Sequence, residues 1–293
     1  MPTVSALTLY PVKSCAGISV QSAKLTESGL SHESVFDREW MVVDENGHFL
    51  TQREHPVMAR IRPALENATL VLRSPGFDSV SIALNQDDLH EKARLQVQVW
   101  DDTVLAADEG DAIAFWLSEV IGVACRLVRF HPMAIRKANN HWTSHQDVAT
   151  RFADAYPILL TSEASLADLN QRLRNQSLAV VPMNRFRPNI VIDGIEAFEE
   201  EYAASLTQRR TDDNDESKGA ICLTPIKPCA RCPMPAVDQV TGEVGPNPVD
   251  VLQTYRSNAL LEGAASFGMN VILTQGAGRS LSVGEQLELH IAF

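Results

Sequence analysis

Two cysteines, Cys229 and Cys232, lie three residues apart in the segment of the chain best equipped for chemistry. Such a pair can bind a metal, form a redox couple or pack as inert thiols. Structural zinc needs a second Cys or His pair, and a thioredoxin-like motif should open a helix, which Pro233 and Pro235 oppose. Arg231 favours a functional thiolate, the form that ligates a metal, because a neighbouring cation stabilises it. On these residues alone a buried inert thiol stays open.

Lys13, Arg38 and Arg187 each stand in a turn-like context next to a predicted strand. Taken singly, each is better interpreted as the partner in a surface salt bridge. Taken together, they are what an anionic ligand with a phosphate group requires, with arginine as a bidentate clamp and lysine as a point charge. The three cations are therefore consistent with a local anion site in an acidic chain.

The sequence of the first hundred residues predicts strands and turns, which must position Lys13 and Arg38. An apolar run at residues 40–43 leads through an Asn46-Gly47 turn to residues 49–51, which is typical of a β-hairpin. Leu7 and Leu9 alternate with polar neighbours, and residues 69–72 and 80–84 predict two further strands. No segment here is long enough for a parallel α/β unit, so we expect an antiparallel sheet or barrel.

Three helices are predicted farther along the chain. Asp111 could cap the first, whose apolar residues recur at helical spacing, and Ser162 precedes the second. Asn247 and Pro248 are typical of the cap and first residue of a third helix, which we expect to end near residue 255. Strands return at residues 189–192, 271–274 and 286–291. The charged run at residues 209–218 is interpreted as a solvated loop, with a partner-docking loop as the alternative.

The overall composition excludes several classes of function. The 293 residues include 25 Lys and Arg and 37 Asp and Glu, a net charge of −12, which argues against a general nucleic-acid surface. No apolar run approaches the roughly 20 residues of a membrane span, and the N-terminus lacks the features of a secretory signal. Five cysteines, an odd number thinly spread, do not indicate a disulfide framework. We therefore expect a cytoplasmic protein that binds neither nucleic acid nor membrane.

Five segments, taken in order, resemble the MOSC proteins that carry an N-terminal β-barrel extension. This family includes the mitochondrial amidoxime-reducing component and bacterial relatives that detoxify N-hydroxylated bases. The resemblance runs from about residue 4 to residue 290, nearly the whole chain. The matching segments are residues 11–14 (Pro-Val-Lys-Ser), 36–40 (Phe-Asp-Arg-Glu-Trp), 162–169 (Ser-Glu-Ala-Ser-Leu-Ala-Asp-Leu), 186–190 (Phe-Arg-Pro-Asn-Ile) and 229–232 (Cys-Ala-Arg-Cys), the last followed by Val237-Asp238 and Thr241-Gly242.

The resemblance implies a mainly β fold with helices, of the α+β class. A MOSC β-barrel core at residues 116–293 would join an N-terminal β-rich subdomain at residues 1–115, with the cofactor between them. Cys232 would be the molybdenum ligand and catalytic centre. Two departures are Ala230, where relatives often have serine, and Ala155-Tyr156, which replaces small hydroxyl residues of the mitochondrial members. The residues implied to bind the molybdenum cofactor (Mo-molybdopterin) are Lys13, Ser14, Arg38, Asp154, Arg187, Asn189, Arg231 and Asn270.

The activity that the resemblance implies is that of a molybdenum-dependent oxidoreductase, a detoxifying reductase that removes oxygen from small N-hydroxylated substrates. The membrane anchor of the mitochondrial members and the C-terminal iron–sulfur domain of some bacterial relatives have no counterpart here. A separate electron donor of the ferredoxin or flavoprotein type is therefore expected. The alternatives are a carrier of the cofactor or of sulfur, as in the MOSC module of molybdenum-cofactor sulfurases, and a storage protein without turnover.

Overall fold

The computed structural model describes residues 1–85, 87–208 and 220–292. Within these ranges the chain forms three α-helices, α1 (Asp111–Ile121), α2 (Glu163–Asn175) and α3 (Pro248–Gln253), and nineteen strands. The strands are β1 (Thr3–Leu9), β2 (Ile18–Val20), β3 (Ser22–Thr26), β4 (Gly29–His32), β5 (Val35–Phe36), β6 (Trp40–Val43), β7 (Arg62–Glu66), β8 (Thr69–Arg73), β9 (Val80–Ala83), β10 (Arg94–Val99), β11 (Asp102–Asp108), β12 (Arg126–Phe130), β13 (Ile158–Ser162), β14 (Ile190–Asp193), β15 (Ala203–Gln208), β16 (Cys222–Ala230), β17 (Ser266–Gln275), β18 (Ser280–Ser282) and β19 (Leu287–Ile291).

The largest sheet contains eight strands in the order β19-β15-β16-β17-β13-β14-β1-β2. Its neighbours pair antiparallel except β13 and β14, which are parallel and aligned at Leu160 and Ile190. Parallel strands need a long crossover, and α2 supplies it between β13 and β14. The α+β class expected from the resemblance is confirmed.

Three smaller antiparallel sheets follow the orders β10-β11-β12-β6, β18-β3-β4-β5 and β7-β8-β9. The antiparallel pairing expected for the first hundred residues is confirmed. Strands from both ends of the chain pair with strands distant in sequence. The N-terminal strand β1 pairs with β14 in the largest sheet, and β18, near the C-terminus, pairs with β3 in a small sheet. The main buried cluster combines residues of β1, β13, β14 and β17 with residues of β3, β4, β8 and α1, so the sheets share one core.

The helix boundaries confirm two of the three predicted caps. Ser162 Oγ accepts a hydrogen bond from the backbone of Ser165, and Asn247 Oδ1 accepts one from Val249. The third helix ends at Gln253 rather than near residue 255. None of the helices in the described parts of the chain has the length and apolar content needed to cross a membrane.

One local prediction was wrong, one is confirmed in part, and one lies outside the described residues. Asp111 does not cap α1, because the cap position belongs to Gly110, and the Asp111 carboxylate pairs with Arg126 at 2.8 Å. Residues 49–51 do not form a continuous strand, but after the turn the chain returns antiparallel, with a bridge between Phe49 and Val43 and a hydrogen bond from Leu50 N to Val42 O at 2.9 Å. The charged run at residues 209–218 falls outside the described residues. The boundary predicted between residues 115 and 116 falls within α1 and stays a prediction.

Gly268 allows β17 to approach β13 closely. Its φ of +77° is in the left-handed region, and a Cβ atom there would lie 2.6 Å from the carbonyl oxygen of Leu160. Backbone oxygen cannot yield as a flexible side chain would, so the position requires glycine. This contact fixes the part of β17 that carries Asn270 two residues later.

We predict that Gly268→Ala lowers the free energy of unfolding by about 2 to 5 kcal/mol, through the left-handed backbone and the steric overlap together. Gly278→Ala is the matched control, because its φ is +82° and no atom lies within 4 Å of the place that the added methyl group would occupy. For the control, the free energy of unfolding should fall by only about 1 to 2 kcal/mol, from the left-handed backbone alone. Equal losses for the two variants in chemical denaturation would contradict the close approach of β17 to β13.

Candidate functional site

One cavity brings together every residue that the sequence analysis assigned to a site. Its volume, about 220 Å³, does not distinguish it, since two other cavities measure about 260 and 320 Å³ and contain none of these residues. The lining does distinguish it. The predicted residues that line it are Lys13, Ser14, Arg38, Asp154, Arg187, Asn189, Arg231, Cys232 and Asn270.

Backbone hydrogen bonds hold the N-terminal wall of the cavity together. The loop after β1 runs beside the turn before β6, where Lys13 N donates to Trp40 O at 2.8 Å and Arg38 N donates to Tyr10 O at 2.7 Å. Phe152 N then donates to Arg38 O at 3.1 Å. Three segments distant in sequence are thereby fixed against one another at this wall.

Another part of the cavity lining comes from strands of the largest sheet and their ends. Asn189 precedes β14, and its side chain bonds Thr8 O at 3.2 Å and Leu159 N at 3.1 Å, which joins β1 to β13. Asn270 on β17 donates to the carbonyl of Lys227 on β16 at 3.3 Å. Both amides are therefore engaged by backbone groups, and their contacts with a cofactor stay predictions.

Three of the lining residues have strained backbone. Ser14, Arg38 and Arg187 have φ values of 64°, 50° and 57°, in the left-handed region that residues with a Cβ seldom adopt. Strain of this kind persists where the surrounding structure determines it, and it concentrates at functional sites. Its presence at three residues that line one cavity favours a site over an incidental cleft.

The cavity carries an excess of positive charge. Asp154, the one carboxylate among its described lining residues, pairs with Lys13, while Arg38 and Arg185 pair with Asp37 and Asp238 behind the walls. In the part of the chain that the structure describes, the other cations have no carboxylate within salt-bridge distance. An anionic ligand would offset this charge. The cations that line the cavity are Lys13, Arg38, Arg185, Arg187, Lys227 and Arg231.

Burial shapes the ionisation of these groups. It lowers the pKa of Lys13 and of Arg187, because both side chains leave water without full compensation. The side chain of Asp154 is 67% exposed, and the charge of Lys13 together with its hydrogen bond holds the pKa of Asp154 well below its ordinary value. Asp154 is therefore ionised at neutral pH and acts as a hydrogen-bond acceptor.

The two cavity cysteines differ in their surroundings. Arg231 Nη1 donates to Cys229 Sγ at 3.0 Å, and its Nη2 donates to Phe186 O at 2.6 Å. The cation expected to favour a functional thiolate thus contacts Cys229. Cys232 is a half-buried free thiol in the same cavity.

The protein groups at this cavity form an incomplete metal site. Within residues 1–85, 87–208 and 220–292 no three His, Cys, Asp or Glu side chains are placed to share a metal. A metal bound through Cys232 would therefore need further donors from a ligand that carries them. This donor set does not support a zinc site with protein ligands alone.

Several residues around the cavity were not selected from the sequence. Arg185 and Lys227 line it and could have been found, since each stands beside a matched segment. Gln52 and Gln239 form a reciprocal amide pair at 2.9 and 3.2 Å, and Gln52 also donates to Ser14 O at 2.7 Å. Nothing in the spacing of these glutamines marks them, because they meet across 187 residues.

Comparison with known proteins shows similarity along both halves of the chain. Residues 1–124 match the MOSC N-terminal beta barrel domain, and residues 147–288 match the MOSC domain. Mitochondrial amidoxime reducing component 2 of Bos taurus is 35% identical over 87% of this chain and 72% of its own length. Its counterpart in Rattus norvegicus is 34% identical over 91% of this chain and 78% of its own length. The molybdenum cofactor sulfurase of Bos taurus is 29% identical over 97% of this chain and 32% of its own length.

We predict that the cysteines separate by reactivity in the native protein. Burial raises the pKa of the Cys15 thiol to about 12 and also raises the pKa of Cys125, so both should resist iodoacetamide. Cys222, Cys229 and Cys232 are only partly buried and should be alkylated. Peptide mass spectrometry after a short reaction at about pH 8 measures each site. The denatured chain, in which all five should react, is the control; native Cys15 reacting as fast as Cys232 would contradict the burial.

Proposed function

The chain belongs to the MOSC family, as a protein with both the N-terminal β-barrel and the MOSC domain, and from that premise we propose that it is a molybdenum-cofactor-dependent reductase of N-hydroxylated compounds. The observation that carries the proposal is the convergence of a free thiol, Cys232, with a group of under-compensated cations in one cavity. The similarity to amidoxime reducing components, which by name act on N-hydroxylated substrates, supports this substrate class.

The residues of the cavity fit a molybdenum cofactor in charge and in donor set. Lys13, Arg38 and Arg187 would hold its phosphate, because they supply positive charge that the chain itself offsets only in part. Cys232 would bind the metal, and the sulfur atoms of the pterin would complete the donors that the protein lacks. Ser14, Asp154, Asn189, Arg231 and Asn270 would contact the pterin from the remaining walls.

When bound, the cofactor would supply the two-electron chemistry that removes oxygen from an N–OH group. The protein would orient the cofactor, neutralise its charge and control access to it. The ionised Asp154 would hold the Lys13 ammonium in place and would not serve as a proton donor near neutral pH, because its pKa is low. Electrons would come from a separate ferredoxin- or flavoprotein-type donor.

We predict near-stoichiometric molybdenum in protein purified from a host that makes the cofactor. Cys232→Ala should remove at least about 90% of the metal, because it deletes the proposed protein ligand. Cys229→Ala is the matched control three residues away and should keep most of the metal. Elemental analysis measures both variants, with circular dichroism to verify folding. A folded wild-type protein without molybdenum, or loss of metal from Cys229→Ala alone, would overturn the assignment.

The reductase itself is tested by turnover of benzamidoxime to benzamidine with a chemical reductant. Wild type should turn over, while Cys232→Ala should fall to background. A loaded protein that shows no turnover with several N-hydroxylated substrates would refute the reductase and leave cofactor binding intact.

A sulfur or cofactor carrier is the second candidate, and the similarity to molybdenum cofactor sulfurase favours it. A sulfur carrier should hold a persulfide on Cys232, which adds one sulfur atom to the peptide mass. A carrier or storage protein should bind the cofactor and yet show no turnover with any electron donor. Intact mass and turnover measured on the same preparation therefore separate the two functions.

A further inference from the structure

Two arginines of the cavity share the ring of one tyrosine. The guanidinium carbon of Arg38 lies 4.4 Å from the ring centroid of Tyr10, and that of Arg187 lies 4.3 Å from the same centroid. Tyr10 is 3% exposed, so these contacts are shielded from water. Cation–π attraction is stronger in such a desolvated setting than at a surface.

The two guanidinium groups need such a partner because they repel each other. Burial is the main cause of the lowered pKa of Arg187, and the charge of Arg38 lowers that pKa further. Arg38 Nη2 donates to the carbonyl of Arg187 at 3.4 Å. Asp37 neutralises Arg38 through an ion pair. Arg187 instead bonds two neutral oxygens, Cys15 O at 2.6 Å and Gln239 Oε1 at 3.5 Å. The electron-rich ring of Tyr10 thus contacts both cations and offsets part of their repulsion.

The chain around Tyr10 fixes the ring in this position. Tyr10 N donates to Asp37 Oδ1 at 2.8 Å, and Tyr10 O accepts from Arg38 N at 2.7 Å. Gly17 also approaches the ring closely, because a Cβ atom there would lie 2.6 Å from Cε1 of the ring. The backbone of Tyr10 is therefore held by Asp37 and Arg38, and the edge of its ring packs against Gly17.

We propose that Tyr10 is a positioning residue, whose ring holds Arg38 and Arg187 together as one clamp for a phosphate group. Tyr10 does not line the cavity, so it acts through the arginines from behind the wall. The proposal rests on the proposed function only for the source of the phosphate, which there belongs to the cofactor. The clamp itself is a property of the chain.

The test measures binding of inorganic phosphate to the full chain purified from a host that cannot make the cofactor. Isothermal titration calorimetry at low ionic strength compares wild type, Tyr10→Phe and the protein with 3,4,5-trifluorophenylalanine at position 10. Tyr10→Phe should bind within about twofold of wild type, because the ring face is retained. Trifluorination keeps the size of the ring and removes its negative face, so affinity should fall about fivefold or more. A purely structural role would leave affinity unchanged on fluorination.

Removal of the ring gives a second comparison. Tyr10→Leu should weaken phosphate binding by about tenfold, whereas Tyr202→Leu, at a ring that is 65% exposed, should not change it. If Tyr10→Leu does not fold, the fluorinated protein decides. Phosphate affinity within twofold of wild type for every variant at position 10, or no phosphate binding by wild type, would overturn the clamp.

Molybdenum content separates this proposal from the proposed function. In a cofactor-making host, the trifluorinated protein should contain less molybdenum than Tyr10→Phe. If wild type contains no molybdenum but the phosphate affinity still falls when the ring of residue 10 is fluorinated, the cofactor assignment fails and the clamp stands. If wild type is loaded and the ring changes neither phosphate affinity nor metal content, the clamp fails and the cofactor assignment stands.

Discussion

Like charges that face one buried cavity repel one another, and much of the surrounding structure offsets that repulsion. Asp154 compensates Lys13 from within the cavity, while Asp37 compensates Arg38 from behind it. Arg187 has no such carboxylate among the described residues and relies on neutral oxygens and an aromatic ring. The compensation is partial, as the lowered pKa values of Lys13 and Arg187 indicate. A cavity of this kind favours an anionic ligand, because the ligand would supply the negative charge that the protein itself does not provide.

The same constraint accounts for the strained turns. Side chains of Ser14, Arg38 and Arg187 reach one cavity from three separate segments, and each residue stands at a reversal of the chain between elements. Left-handed backbone at a residue with a Cβ costs about 1 to 2 kcal/mol. The hydrogen bonds of Lys13 with Trp40 and of Arg38 with Tyr10 hold these turns in place. The fold therefore maintains local strain so that cations from distant segments converge.

The sequence predicted the cavity residues better than it predicted the ends of elements. Matched segments identified Lys13, Arg38, Arg187 and Cys232 because motif spacing is local, and the structure brings them together. The cap at Asp111 was wrong because Gly110, with its positive φ, is suited to the position and leaves the aspartate free to pair with Arg126. Gln52 and Gln239 were missed because their pairing depends on tertiary structure alone. Tyr10 carried no signal of its own, since an aromatic residue at a strand end is more often part of the core.

The contact of Arg231 with Cys229, the first of the two cysteines, has a chemical consequence. Arg231 uses Nη1 to donate to Cys229 Sγ and Nη2 to donate to Phe186 O. A thiolate that ligates a metal needs its lone pairs free, and hydrogen bonds to sulfur reduce the electron density that it can donate. By this argument Cys229 would be the poorer metal ligand of the pair, even though the cation lies beside it. Under the proposed function, Arg231 thus contacts the cysteine of the pair that would not bind the metal, while Cys232 lines the same cavity with its thiol free.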